Sequence, residues 1–398
     1  MTPFITLVLA GFLARFGYQM ARSPVLPRFA QDLGAAPELM GLIVAASTIT
    51  GVVVKLPAGA LSDLLGRKRM MVLGCLFFAG PPFLYPFVHS TGPLLTLRFL
   101  HGFATAIFSP VASAFVADLS RRGRAEKLGW FAAASDLGAT AGPLLGGLLL
   151  FYTSSYSTTY LVVGVLGLLP LLMVLRLPAD KKLHSPGSSL GERSRQFWSG
   201  IGEVLSSRAV VIASTLEAAL YVGYGAFLGF FPPYAKGIGL NDAQIALVMG
   251  AQLATTMLAK PLSGRLSDRV GRKPMILAGL FLCAATLPAI PALASFWLLL
   301  PVSAVFGLGV AIVTPSTTAL VADLVKAGRM GSAMGVFGTI WDSGEAAGPI
   351  MAGFLIAALS YGAAFSAIAV LMALMAVLFL VVVKDPTAAL PAAAQRRK

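Results

Sequence analysis

GALSDLLGRKR at 59–69 and GRLSDRVGRKP at 264–274 are two versions of one charged, glycine-punctuated phrase, 205 residues apart. The same offset pairs Lys55 with Lys260, Asp63 with Asp268 and Arg67 with Arg272. It also lays SPVASAFVADLSRRGR (109–124) on TPSTTALVADLVKAGR (314–329), which joins Asp118 to Asp323. After a slip of one residue, Asp136 and Gly142-Pro143 fall on Asp342 and Gly348-Pro349. One structural unit has therefore been written twice.

The sequence around these phrases says what kind of unit it is. Of 398 residues, 57% are hydrophobic and only 12% are charged, with a mean hydropathy of +0.83. A soluble domain carries about a quarter of its residues as charges. Apolar runs of about 20 residues recur from end to end, and that length crosses ~30 Å of hydrocarbon. The runs are continuous rather than alternating and too long for strands, which excludes a β-barrel. The first, FITLVLAGFLARFGYQM, lacks a basic leader and a small-residue cleavage site and is interrupted by Arg15. It reads as a span, not a secretory signal. Cys75 and Cys283 sit in apolar stretches and read as small hydrophobes rather than a disulfide or metal site. No zinc, haem or nucleotide-phosphate motif occurs, so neither a cofactor nor catalysis is expected.

The expected fold class is an all-α membrane protein of twelve transmembrane helices, near 4–29, 38–63, 70–88, 92–120, 126–151, 158–176, 208–235, 241–263, 274–290, 297–322, 330–357 and 361–383. With both termini in the cytoplasm, most of the 30 Lys and Arg fall on the inner side, while Arg28 and Lys236 fall outside. That is the positive-inside bias, and it explains the net charge of +14 without nucleic acid as a partner. The domain boundaries read as an N-terminal bundle over 1–177, a linker over 178–207, a C-terminal bundle over 208–384 and a tail over 385–398. Within the linker, Phe197, Trp198, Ile201, Val204 and Leu205 share one helical face opposite Arg195, Glu203 and Ser206. A short helix lying on the cytoplasmic membrane surface is expected there. Two parallel six-helix halves about a central axis are a transporter architecture, with substrate near the membrane midplane between them.

The phrase G-x-L-S-D-x-x-G-R-K resembles the loop motif of the major facilitator superfamily, found between helices 2–3 and 8–9, and the resemblance covers essentially the whole chain. GATAGPLLGG at 138–147, with Gly138, Gly142, Pro143, Gly146 and Gly147, is similar to the fifth-helix motif of the antiporter branch, many of whose members are drug:proton exporters. LLTLRFLHGFATA, with Arg98 and Gly102, is similar to the fourth-helix R-x-x-x-G motif, and PVLP at 24–27 to the proline pair that ends helix 1. The resemblance implies that Gly59, Asp63, Gly66 and Arg67, with Asp118, form a cytoplasmic latch that must break for the inward opening. Gly264, Asp268, Gly271, Arg272 and Asp323 would form its second copy. Leu64 departs from the basic residue frequent at that place, so the two latches are expected to differ in strength.

Charges at membrane depth are functional candidates by default. Four are acids: Asp136, Glu217, Asp342 and Glu345. Asp342 and Glu345 lie three apart on one helix face, and desolvation favours the uncharged form of a carboxylate. These two, with Asp136 and then Glu217, are the candidate proton carriers; the alternative is fixed ion pairs that orient helices. Arg15, Lys55, Arg98 and Lys260 are the bases within spans. Lys55 and Lys260 would either grip an anion from both halves or neutralise neighbouring carboxylates. Tyr18, Tyr221, Tyr224 and Trp341 present polar-tipped rings suited to a cargo wall. The expected function is proton-coupled export of a small organic compound by a monomer in a bacterial-type inner membrane. The rivals are a carrier of a small organic anion and a non-transporting receptor or lipid scramblase on the same fold.

Overall fold

The computed structural model describes residues 2–119, 123–178, 202, 208–325 and 330–382. Of residues 56, 60, 63, 125, 208, 209 and 330–332 it describes the backbone alone. The linker helix expected within 178–207, the tail and the Asp63 side chain thus lie outside the described residues.

Thirteen α-helices occur among the described residues. They are α1 (Pro3–Arg22), α2 (Val25–Asp32), α3 (Pro37–Leu65), α4 (Arg67–Ala79), α5 (Thr91–Asp118), α6 (Arg124–Thr153), α7 (Tyr156–Leu175), α8 (Arg208–Gly237), α9 (Asp242–Val270), α10 (Arg272–Thr286), α11 (Phe296–Leu324), α12 (Met330–Ala358) and α13 (Tyr361–Val382). Among the described residues eleven segments, counting α1 and α2 as one, are long and apolar enough to cross a membrane. The helix α12 is equally long, at 29 residues, and holds Asp342 and Glu345. No strand occurs among the described residues. Large apolar side chains face outward, with Phe87, Tyr152, Trp297 and Val381 more than three-quarters exposed. In water such a surface would be an aggregation liability; in lipid it is the expected exterior.

Local chemistry explains the breaks. Thr2 caps α1 by accepting from Ile5 N at 3.4 Å, and Ser155 caps α7 by accepting from Thr158 N at 3.1 Å. The first span is broken at the cis Ser23-Pro24 bond, and the third changes to a 3₁₀ helix at Pro81–Phe87. The duplicated motif is helical nearly throughout: α3 runs to Leu65, α4 starts at Arg67, and only Gly66 intervenes. Gly66 has φ 95°, ψ 141° and Gly271, between α9 and α10, has φ 107°, ψ 153°. That backbone is open to glycine and strained for any L side chain.

Two compact units form. The first comprises Met1–Ser185, Gly225–Gly250 and Ala346–Tyr361; the second comprises Pro186–Tyr224, Ala251–Glu345 and Gly362–Lys398. The antiporter-type glycines lie in the first unit and seat α6 on α1. A Cβ added at Gly138, Gly142 or Gly146 would overlap the carbonyl oxygen of Phe12, Phe16 or Met20, one turn further along each time. The same close approach brings parts of the second repeat into the first unit. Gly41 of α3 abuts the Pro349 carbonyl, Gly353 abuts the Pro37 carbonyl, and Gly147 abuts Ala246. In the second unit, Gly344 of α12 abuts the Ala218 carbonyl of α8, and Gly307 of α11 abuts Gln252 of α9.

Candidate functional site

The duplicated motif builds the same ion pair twice, once in each unit. Arg67 Nε donates to Asp118 Oδ2 at 3.2 Å, and Arg272 Nε donates to Asp323 Oδ2 at 3.3 Å. Arg67 Nη1 also donates to Ser62 Oγ, and Arg272 Nη1 to Ser267 Oγ at 3.4 Å. Each following lysine donates to a backbone carbonyl, Lys68 to Leu177 and Lys273 to Leu380. Asp268 closes on Arg272 at 2.5 Å. The glycines of the motif differ among themselves. An added Cβ at Gly59 meets open space, and one at Gly264 meets Pro315 at an ordinary 3.8 Å, whereas Gly66 and Gly271 turn the chain.

At the opposite end of the first unit stands a second charge cluster. Arg28 of α2 is buried and donates from Nε to Asp242 Oδ1 at 3.1 Å, at the start of α9. Its Nη1 donates to Gln31 Oε1 at 2.6 Å and lies 3.6 Å from Asp32 Oδ1. Lys236 Nζ reaches Asp242 at 3.7 Å, and the Tyr156 hydroxyl donates to Asp32 at 2.6 Å. Ser23 Oγ donates to the Leu228 carbonyl at 3.3 Å beside it. Sequence reasoning placed Arg28 only as a charge on the outer side, and missed Asp32, Tyr156 and Asp242. Their separation, 214 residues for Arg28 and Asp242, left no local signal.

Of the acids at membrane depth, Glu217 is the most deeply held. It is fully buried on α8 in the second unit, where Oε2 accepts from Thr317 Oγ1 of α11 at 2.5 Å while Oε1 makes no hydrogen bond to a described residue. Lys260 acts on it electrostatically. The α8–α12 contact at Ala218 and Gly344 brings Asp342, Glu345 and Trp341 to the same neighbourhood. Trp341 stacks on Tyr221 at 4.9 Å and donates from Nε1 to Asp342 Oδ1 at 2.6 Å. Asp342 is 6% exposed, and Glu345 is half-buried and acts on the Tyr221 hydroxyl. Tyr224 packs edge-on against Tyr221 at 5.5 Å. Asp136, on α6 of the first unit, is exposed and is not part of this cluster. Thr317, the direct partner of Glu217, was missed, although Thr314 and Thr317 stand three apart on one face in the quoted repeat.

The bases divide likewise. Arg98 of α5 is fully buried in the first unit, with its guanidinium carbon 5.1 Å from the centre of the Tyr18 ring. The His101 ring meets Tyr18 at 5.0 Å, and its Nδ1 lies 3.4 Å from the Tyr85 hydroxyl. Arg15 and Lys55 are half-buried, and the Lys55 chain folds along Gly51.

A duplicated bundle of membrane-spanning helices, with matched ion pairs at the ends of matched helices and carboxylates buried at depth, defines a polytopic carrier rather than a soluble protein or a pore-forming barrel. The profile of the Major Facilitator Superfamily matches residues 7–241 and 213–398, and the chain belongs to that family of membrane transporters. It is 26% identical over 367 residues to an uncharacterized MFS-type transporter of Methanocaldococcus jannaschii, covering 89% of each chain. It is 23% identical over 335 residues to the quinolone resistance protein NorA of Staphylococcus aureus, covering 83% of this chain and 84% of that one. The crystal structure of a mutant nucleoside transporter, NupG, superposes with a TM-score of 0.80 at 13% identity, covering 96% of this chain and all of that one. This last likeness is one of fold.

Proposed function

We propose that this chain is a secondary active transporter that exports a small organic compound in exchange for protons, by alternating access, as a monomer in a bacterial-type inner membrane with both termini cytoplasmic. The observation that carries the reading is Glu217: a carboxylate fully buried in a membrane span, with Oε2 held by the Thr317 hydroxyl. Intramembrane carboxylates are costly and serve as proton relays. Asp342 and Glu345 extend the relay, and Asp136 is its counterpart in the first repeat. In the second unit Tyr221, Tyr224, Trp341 and Lys260 are the candidate cargo contacts, and in the first unit Arg15, Tyr18, Lys55 and Arg98 are. The glycine-proline phrase at 138–147 and the relation to a quinolone resistance protein both support export.

The test is transport of a quinolone in proteoliposomes with and without an imposed pH gradient. Wild-type protein accumulates the drug only with the gradient, while Glu217→Gln loses gradient-driven accumulation and keeps drug–drug exchange. Gradient-independent movement in the wild type would overturn the proton role and favour the scramblase reading. The organic-anion reading is favoured by one observation, the full burial of Arg98, with which no carboxylate among the described residues pairs.

A further inference from the structure

Trp341 makes two contacts at once, and they use different parts of its indole. Its ring face stacks on Tyr221 of α8, with centroids 4.9 Å apart and planes 25° off parallel. Its edge donates from Nε1 to Oδ1 of Asp342, the next residue along α12, at 2.6 Å. Asp342 is buried, whereas Trp341 is half-buried, so part of the ring is open to a further partner. Thr314 of α11 acts on both the Tyr221 hydroxyl and the Glu217 carboxylate, which sets the second acid close behind the ring pair. The other charged and titratable groups here are Tyr224 of α8, Lys260 of α9 and Glu345 of α12. In the first repeat the one-residue slip aligns Ser135 with Trp341, and Asp136 is exposed, so the arrangement belongs to the second copy alone.

A hydrogen bond to an ionised carboxylate is about twice as strong as one to a neutral acid, and it favours the ionised form. An indole nitrogen only donates, so it cannot accept a bond back from the protonated acid. A proton on Asp342 therefore weakens the contact that fixes the ring edge, and the ring loses its single orientation over Tyr221. A planar group that stacks on the Trp341–Tyr221 pair finds its platform ordered when Asp342 is ionised and loosened when it is protonated. Linkage is reciprocal: an occupant that needs the ordered platform drives the proton off Asp342. That is the sign an exchanger requires.

We propose that Trp341 is the positioning residue through which a planar aromatic cargo and a proton on Asp342 exclude each other. This deepens the proton-exchange reading and rests on it for the claim that the antagonism drives transport. The difference between a charge-assisted and a neutral hydrogen bond sets the antagonism at about tenfold in affinity.

The experiment measures binding of acridone, a planar aromatic that stays uncharged across the working pH range, to the purified full chain in detergent, followed by its own emission. At about pH 8.5 Asp342→Asn, the neutral isostere of the protonated acid, weakens binding about tenfold. In Trp341→Phe, which keeps a ring and lacks the N–H, adding Asp342→Asn changes the affinity less than about twofold. Equal affinities in the wild type and a folded Asp342→Asn would overturn the proposal, as would a tenfold loss that persists beside Trp341→Phe, or no saturable binding. A second measurement needs no change at Asp342. With Trp130→Phe, Trp198→Phe and Trp297→Phe, Trp341 is the sole indole. Its quenching by acrylamide rises as the pH falls from about 8.5 to about 5, because a buried carboxyl gains its proton in that range; a constant quenching rate in the folded chain would overturn the proposal. Neither measurement involves a membrane or a gradient. Failure of proton-driven export thus leaves them intact, and a response independent of Trp341 with export intact strikes Trp341 alone.

Discussion

Replacing Asp242 by Asn tests how the end of the first unit opposite the duplicated motif is held shut. The pair it breaks is intermediate in burial: the Arg28 side chain is 6% exposed and Asp242 17%. Stranding a fully buried charge costs about 3–5 kcal/mol, and losing an exposed pair about 0–1 kcal/mol. Arg28 would keep Gln31 and the half-exposed Asp32, so a loss of about 2 kcal/mol is the reasonable middle, about 30-fold in an equilibrium constant. If the opened form is about 1% of the wild type, the variant raises it to about 20%. Val44 is 2% exposed and packs beside Gly229 in this region, and both native cysteines are fully buried. Maleimide labelling of Val44→Cys should therefore quicken by about 20-fold when Asp242→Asn is added, in line with the opened fraction. Exchanging the charges, Arg28→Asp with Asp242→Arg, should bring the rate most of the way back. An unchanged rate in Asp242→Asn would refute the reasoning, as would a charge exchange no slower than the single variant.

The remaining predictions concern helix contacts and the buried acid. Gly142→Ala, whose new methyl meets the Phe16 carbonyl, should lose about 1–3 kcal/mol and lower the unfolding midpoint, whereas Gly59→Ala, facing open space, should stay within about 0.5 kcal/mol. Gly66→Ala and Gly271→Ala should each cost about 2 kcal/mol, because both sit at φ near +100°; equal losses in thermal unfolding would show that the two turns are equivalent. Thr317→Val should alter the pH dependence of gradient-driven drug transport and lower the unfolding midpoint by the cost of an unsatisfied buried acceptor, about 1–3 kcal/mol, since it removes the hydroxyl on Glu217; an unaltered pH profile would count against Glu217 as the proton carrier.

Much of this was readable along the chain. The span near 92–120 appears as α5 over Thr91–Asp118 and the span near 330–357 as α12 over Met330–Ala358, because apolar length is a one-dimensional property. The duplicated phrase foretold matched geometry, and Arg67–Asp118 and Arg272–Asp323 supply it at nearly equal distances. Calling that phrase a loop missed how little of it leaves the helix. A run of charges resembles a loop in hydropathy, yet one glycine at positive φ suffices to turn the chain.

The candidate site was less legible. Four acids at depth are visible as charges in apolar runs, but exposure separates them: Glu217 is enclosed and Asp136 is not. That difference depends on the rotation of each helix about its axis, which the apolar period of an all-round hydrophobic helix does not reveal.

Composition, period and duplication alone establish a two-copy helical membrane carrier, since hydrocarbon thickness and repeated spacing act residue by residue. Which polar side chains meet, Glu217 with Thr317 and Arg28 with Asp242, follows only from three-dimensional packing. Glycine contacts bring distant helices to backbone distance, and the rotation they impose decides where each polar atom points.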